Sequence, residues 1–276
     1  MGLQASVDRL GYMLSVTSFD RTPRCGKVWQ QLMIDTPSNR AYLDECLASY
    51  GIRANENQLT RLLTHLDLVV EKNKIINLTR IIDPAEAIIR HTVDSLLLLP
   101  TIERLGISTE LRFVDIGTGA GFPGIPLTIM TESKGLLIDS VGKKVAAVNE
   151  FCKALGLDHL VQGKAIRAEE LARSSARSFD IVTARAVAEL GVLLEYASPL
   201  LKKNGHMVVS KARITEEEIA HGEKVGDIVG LHLVSRETFE LPNDQGHREI
   251  LAYVHDTKSR VKLPRNTGMA KHHPLA

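Results

Sequence analysis

Gly117, Gly119 and Gly121 stand at alternate positions directly after a short β-prone run of Phe113, Val114 and Ile116, with Asp115 two residues before the first of them. An apolar segment carrying Ile125, Leu127 and Ile129 follows and reads as a helix. Strand, glycine turn and helix make the ligand-binding unit of a doubly wound α/β domain. Glycine lets backbone approach a ligand where a Cβ would clash. The helix N-terminus behind the turn is expected to offer N–H groups to a carboxylate or phosphate. A dinucleotide loop needs a third glycine where Phe122 stands, so the pattern is a different one. About 20 residues on, a second strand over Gly135–Asp139 ends in a carboxylate able to accept both hydroxyls of a ribose. An acid opening the glycine loop and an acid closing the next strand are the pattern of S-adenosylmethionine-dependent methyltransferases.

The elements that must hold these residues alternate. The spacing predicts a helix over 143–155 burying Val145, Val148, Phe151 and Cys152, then a strand over 160–166 leading into Arg167, Ala168 and Glu169. A fourth strand over 179–183 ends at Arg185, and an apolar helix over 187–201 is expected to stop at Asn204-Gly205. A fifth strand over 206–210 carries Lys211 at its end, and the last two are placed at 231–235 and 248–255. Alternating strands and helices imply a mostly parallel sheet. Between about Arg40 and Pro100 the period is helical, with Leu59, Leu62, Leu63, Leu66, Val69 and Val70 on one face. Asp83-Pro84-Ala85-Glu86 reads as a helix start closed by a capping box. That helix turns Ile88, Ile89, Val93, Leu96 and Leu97 inward and is expected to stop at Pro100. Its other face carries His91, Asp94 and Ser95, where residue types favour an internal hydrogen bond beside an exposed stripe. Residues 1–40 hold turn-forming clusters at 22–24 and 36–39 and are expected to be a poorly ordered extension, with Met33 an alternative start.

Composition bounds the class. The chain has 276 residues, 44% hydrophobic and 24% charged, which suits one large α/β domain with an appendage. A net charge of +1 argues against a uniformly basic nucleic-acid binder but allows a local patch, and aromatics at 4% make stacking platforms scarce. Cys25, Cys46 and Cys152 lack metal or redox spacing, implying a reducing, cytoplasmic setting with no metal. No apolar run reaches 18 residues and no secretory pattern opens the chain, so no membrane partner is expected. The segment from Asp256 holds Lys258, Arg260, Lys262, Arg265 and Lys271 against one acid, with Pro264 and Pro274 opposing a regular helix. It reads equally as a frayed end or as a basic arm for phosphates.

Taken together these stretches resemble the bacterial small-subunit rRNA guanine-N7 methyltransferases of the RsmG, or glucose-inhibited division protein B, family. The resemblance rests on Asn73-Lys-Ile-Ile-Asn-Leu-Thr79, Arg90-His-Thr-Val-Asp-Ser-Leu96, Asp115 to Pro126 and Asp139-Ser-Val-Gly-Lys-Lys144. Arg167-Ala-Glu169, Ala184-Arg-Ala186 and the stretch from Leu263-Pro-Arg265 to Leu275 complete it, covering roughly 43–275. The chain departs from the family pattern at Lys72 (tryptophan), Ala212 (glycine), Leu263 (tyrosine), and Thr267 and Ala270 (prolines).

The resemblance implies a Rossmann-like class I methyltransferase: a mostly parallel seven-stranded sheet over 106–256, a helical N-terminal region over 41–105 and a basic tail over 257–276. It implies S-adenosylmethionine as cofactor, N7 of the guanosine at position 527 of 16S rRNA as acceptor, and the rRNA or small subunit, not DNA, as partner. A monomer is expected. Asp115, Gly117, Gly119 and Phe122 would frame the methionine and ribose portions, with Asp139 and Ser140 on the ribose and Ala168 and Glu169 facing adenine. Arg185 would reach the methionine carboxylate or a substrate phosphate. His91, Lys143, Lys144, Lys211, Arg265 and Lys271 are the RNA-side candidates. The residues agree chemically. An exocyclic amine calls for an Asn/Asp-Pro-Pro-aromatic stretch where Thr183-Ala-Arg-Ala186 stands, and pyrimidine C5 needs a loop cysteine nucleophile. Guanine N7 has a free lone pair on an accessible edge, so no general base is named and positioning carries the rate. A nicotinamide oxidoreductase is disfavoured by Phe122, and a non-catalytic assembly factor by the intact Asp115, Gly117, Gly119 and Asp139. A small-molecule methyltransferase is opposed by the basic tail and the resemblance.

Overall fold

The computed structural model describes residues 34–106, 111–185 and 187–276. The expectations placed on residues 1–33, and Ala186 of the fourth-strand loop, lie outside the described residues. Seven strands form one sheet: β1 (Arg112–Ile116), β2 (Lys134–Asp139), β3 (Val161–Ala165), β4 (Phe179–Arg185), β5 (Leu201–Lys211), β6 (Leu231–Glu240) and β7 (His247–His255). Their order is β3-β2-β1-β4-β5-β7-β6, parallel from β3 to β5, with β7 antiparallel to both of its neighbours. The chain winds outward from β1 to β3 and then returns to β4, which opens a crevice at the carboxyl ends of β1 and β4.

Alternation along the strands divides the core between two faces. Val114, Ile116, Ile138, Val182, Ala184, Met207 and Val209 pack beneath α8 (Ala168–Ser174), α9 (Leu190–Ala197) and α10 (Glu216–Val229). Phe113, Leu137, Ile181, Val208 and Ile250 face the other way, toward α6 (Gly124–Thr131) and α7 (Gly142–Ala154). The N-terminal helices bury their apolar stripes in that same second core, so appendage and sheet share it. They are α1 (Pro37–Ala48), α2 (Glu56–Asn73), α3 (Pro84–Ala87), a π-helical stretch (Ile88–Val93), α4 (Asp94–Leu96) and α5 (Leu99–Arg104). In α2 an Asn55–Gln58 capping box starts the helix, and Leu59, Leu62, Leu63, Leu66 and Val69 are buried as the spacing predicts.

Several local expectations are corrected. Residues 34–40 are ordered: Thr36 caps α1 by accepting from Asn39, Pro37 takes the first helical position, and Ile34 is buried. Glu86 leaves the capping box half-made, because only Asp83 accepts a backbone N–H, while the Glu86 carboxylate turns to Arg90 at 2.7 Å. Pro100 does not end a helix but sits in the first turn of α5, where its missing N–H costs nothing. The apolar helix after β4 stops at Ala197, and Asn204-Gly205 lies inside β5 at a register shift against β4, with Asn204 left-handed. There β5 gains an extra turn's worth of chain, a bulge that the turn-type residues suit. β6 runs on to Glu240, with its outward side chains exposed.

The basic tail is neither frayed nor an arm. Arg260 donates its N–H to Ile228 O, Ala270 of α11 (Met269–His272) is buried, and the carbonyls of Leu275 and Ala276 meet His221. Burial of Ala270, Leu263 and Leu275 on the α9 side outweighs the like charge of the segment.

Candidate functional site

Two cavities meet at Gly117, one on each side of the glycine turn. Gly117, Gly119 and Gly121 all take positive φ (71°, 60° and 94°), which other residues adopt only with strain. A Cβ on Gly117 would stand 2.7 Å from Val187 Cγ2, so a side chain there would crowd the wall of the first cavity. Gly117 and Thr118 donate to Ile138 O at 2.8 and 3.0 Å, and Gly119 N donates to Asp139 Oδ2 at 3.1 Å. Asp139 also accepts from Val141 N at 2.9 Å, so the strand-end carboxylate is held by two backbone donors.

The first cavity, about 200 Å³, is walled by Ile116, Ile138, Ile166, Ala168 and Val187, with Asp139, Ser140, Glu169, Tyr196 and Lys271 on its polar side. Apolar walls, a carboxylate at the rim and a backbone bare of Cβ suit a nucleoside with its base enclosed and its diol at Asp139. Glu169 is itself buried and accepts from Gly268 N of the tail at 2.8 Å, so the tail forms part of this cavity's wall. Arg265 anchors the tail by pairing through Nε with Glu195 at 2.8 Å, Glu195 being buried.

The second cavity, about 380 Å³, lies beneath the N-terminal helices and is lined by Leu78, Thr79, His91, Asp94, Gly119, Phe122, Arg185, Ser210, Lys211 and Arg248, among others. Asp94 organises it. Its Oδ2 accepts from Arg185 Nη1 at 3.1 Å and its Oδ1 from Arg248 Nε at 2.8 Å, the three side chains being 5%, 12% and 14% exposed. The exposed stripe expected at His91, Asp94 and Ser95 is therefore wrong: all three are buried, because that face of the helix closes on β4 and β7. Ser95 does make the expected internal bond, to His91 O. Phe122 stacks on His91 (4.7 Å, 11°) and tilts against His65 (4.6 Å), with the Arg185 guanidinium 5.3 Å from its ring centre. Burial, and then the Arg185 charge, lower the pKa of His91 to about 3, while burial lowers that of His65 to about 4, so both rings are neutral. His91 Nε2 meets Thr79 Oγ1 at 2.8 Å, and Asn73 Oδ1 holds the loop by accepting from Leu78 and Thr79 N.

Not every residue singled out in the sequence reaches a cavity. Asp115 is fully buried behind the turn, where Gly124 N and Thr183 Oγ1 donate to it at 3.1 and 3.0 Å. Desolvation pushes its pKa up to about 6 against those bonds. It shapes the loop and touches neither cavity. It also takes the N–H that the helix N-terminus was expected to offer a ligand, and Ile125 N is spent on Gly121 O. His91 belongs to the cavity wall and not to an open RNA face. Lys211 pairs with Glu218 at 2.7 Å, and Arg265 is committed to Glu195, so two of the RNA-side candidates are internally paired. Lys143 and Lys271 are exposed, and Lys144 is half-exposed. Cys152 is buried, with its thiol pushed up to about 12 by burial, which leaves no nucleophile there. Sequence reasoning passed over His65, Ser210 and Arg248. The signal for the last was present: alternation in β7 puts Arg248 on the face of buried Ile250 and Ala252, a place where a charge needs a partner.

The model of the rRNA small subunit methyltransferase G family matches residues 58–245, from within α2 to the turn before β7. This chain belongs to the rRNA small subunit methyltransferase G family. A ribosomal RNA small subunit methyltransferase G of Desulfitobacterium hafniense (strain Y51) is 38% identical over 228 residues, 82% of this chain and 92% of that protein. The protein of that name from Staphylococcus saprophyticus is 35% identical over 237 residues, 85% of this chain and 98% of its own length. Among solved structures, the [4+2]-cyclase SpnF superimposes with a TM-score of 0.51 at 16% identity, covering 73% of this chain and 95% of its own. A putative sarcosine dimethylglycine methyltransferase from Galdieria sulphuraria gives 0.50 at 12% identity, covering 64% and 89%. These likenesses show the fold alone; chemistry on such a scaffold is set by its sites.

Proposed function

We propose that this methyltransferase transfers the methyl group of S-adenosylmethionine to N7 of the guanosine at position 527 of 16S rRNA, with the rRNA or small subunit as partner. The observation that carries the reading is the pair of cavities joined at Gly117, one suited to a nucleoside and the other large enough for a base, in a chain of this family. The cofactor supplies an electrophilic methyl on a sulfonium. Asp139, held by Gly119 N and Val141 N, keeps lone pairs for the ribose hydroxyls. Ala168 and the apolar wall enclose the adenine, and Glu169 sets the tail against that wall. Arg185, whose Nη1 is taken by Asp94 and by the carbonyls of Arg90 and His91, has its remaining donors for the methionine carboxylate.

The acceptor side needs no base. N7 carries its lone pair at neutral pH, and no proton leaves it when the new bond forms, so the protein's work is to desolvate the base and hold it in line. Phe122, stacked on His91 and tilted against His65, gives the second cavity a rigid aromatic wall. Asp94, the carboxylate lining that cavity, is occupied by two arginines and is no proton acceptor. Of the six RNA-side candidates, Lys143, Lys144 and Lys271 remain for RNA phosphates. Among the described residues no helix is long and apolar enough to cross a membrane, and a cytoplasmic monomer fits the reading.

Mapping 7-methylguanosine in 16S rRNA from cells with and without the protein tests the proposal. The modification at position 527 is expected to disappear on deletion. Its persistence, or transfer to another atom by purified protein, overturns the reading.

A further inference from the structure

Three side chains of the second cavity lie on one face of the sheet. Arg185 of β4 is paired with Ser210 of β5, and Ser210 with Ile250 of β7. Arg248, two residues before Ile250, shares its face. Ser210 therefore sits between two guanidinium groups, and all three residues line the cavity. Ser210 is 1% exposed, and its hydroxyl has no partner among the described residues. A buried hydroxyl left unpaired is a cost that a ligand can remove. Arg248 is pinned by Asp94 at 2.8 Å through Nε and by His247 O at 2.7 Å through Nη1, while its Nη2 makes no hydrogen bond among the described residues.

Building on the proposed reaction, we propose that Arg248, with Ser210 beside it, reads O6 of the target base and makes this cavity accept guanine and reject adenine. Charge separates the two arginines. Arg90 is paired with Glu86 and Lys211 with Glu218, so Arg185 and Arg248 share the single carboxylate of Asp94. The methionine end of the cofactor offers one carboxylate, which suits one of the two arginines and leaves the other for a neutral acceptor. Arg185 faces that end, beside Phe122 and the glycine turn, and Arg248 holds the far wall on β7. Beside N7, guanine presents O6, an acceptor, whereas adenine presents an amino donor. A guanidinium only donates. It therefore bonds guanine at O6, leaves the N7 lone pair free for the methyl group, and meets adenine donor to donor. Sites built to hydrogen-bond one group reject the analogue lacking it by large factors, because their buried polar atoms are left unpaired.

The test uses full-length protein, methyl-labelled S-adenosylmethionine and small subunits assembled on 16S rRNA carrying guanosine, inosine or 2,6-diaminopurine riboside at the target. Inosine keeps O6 and loses the 2-amino group; diaminopurine keeps N7 and the 2-amino group and exchanges O6 for an amine. The parent protein should methylate guanosine and inosine at similar kcat/KM and diaminopurine on the order of 100-fold more slowly. Arg248→Met should lower transfer to guanosine and inosine at least tenfold more than transfer to diaminopurine, and so collapse the ratio. Arg248→Lys should restore part of it. Equal loss on all three bases means that Arg248 only supports the fold, and it overturns the assignment. So does an unchanged ratio. If Arg248→Met does not fold, Arg248→Gln, whose amide accepts from an amine as well as donating to O6, decides by the same ratio: it should narrow, and an unchanged value sinks the proposal. No transfer to guanosine by the parent protein would instead remove the reaction on which the inference rests.

Discussion

At the scale of single residues the site is organised by buried charge and by rings kept neutral. Asp94 balances two arginines that water scarcely reaches. Removing one partner of such a network leaves charges uncompensated in low dielectric, which costs about 3–5 kcal/mol. Asp94→Ala is therefore expected to lower the urea midpoint strongly, and a variant as stable as the parent refutes the network. Acid should weaken the protein through His65 and His91. Their folded pKa values, about 4 and about 3, lie below the ordinary 6.5. Between those values the unfolded chain binds protons that the folded one refuses, so stability is present above pH 6.5 and drains away as pH falls toward 4. Asp115 has the opposite sign: raised to about 6, it is protonated earlier in the folded state and gains stability as pH falls through that value. Two histidines outweigh one carboxyl, and denaturant unfolding at pH 7 and pH 5 should differ by on the order of 2 kcal/mol in favour of pH 7. Equal stability at both pH values would contradict the burial of the two rings.

At the scale of elements, two segments work by where they are pinned. The loop between α2 and α3 is held by Asn73 at its base and by the contact between Thr79 and His91, so it forms a fixed rim over the second cavity. The tail is tied to the first cavity through Gly268 and Glu169 and anchored through Arg265 and Glu195, with Lys271 on the lining. On charge alone its loss would affect only RNA binding. Packed as it is, truncation after Ser259 should also weaken S-adenosylmethionine binding, by at least tenfold, measured by calorimetry on a variant whose unfolding remains cooperative. Undiminished affinity would show that the tail only rests against the domain.

At the scale of the whole molecule, a net charge of +1 leaves RNA attraction to local cations. Most arginines near the crevice are internally paired, whereas Lys143 and Lys144, at the start of α7, form no ion pair among the described residues. If both meet phosphates, the Lys143→Ala/Lys144→Ala double variant should flatten the plot of log affinity against log salt by roughly 1.4 on single-stranded RNA. Filter binding at several salt concentrations reads the slope. An unchanged slope places RNA contact elsewhere, and cofactor affinity serves as the folding control.

What the sequence determined by itself is what depends on neighbours in the chain. A glycine turn with positive φ, a carboxylate ending a strand and the alternation of strand and helix are short-range requirements, and they appear as residue types at fixed spacing. The Asp115–Gly121 spacing, Asp139 and the stripe of α2 were legible for that reason. What only the tertiary structure decided is which separated groups meet. Asp94 and Arg248 are 154 residues apart and touch because β7 inserts antiparallel beside β5, a consequence of sheet order that no local pattern encodes. The same holds for Asp115, whose residue type suits a ligand contact equally well but whose neighbours Thr183 and Gly124 enclose it behind the turn. It holds for the tail too: its charges are compatible with a free arm, and the burial of Ala270 against α9 turns it into a wall. Hydrogen bonds and apolar contacts between distant segments carry more free energy than the local preferences they override, so the final placement of a side chain is settled only when the whole core closes.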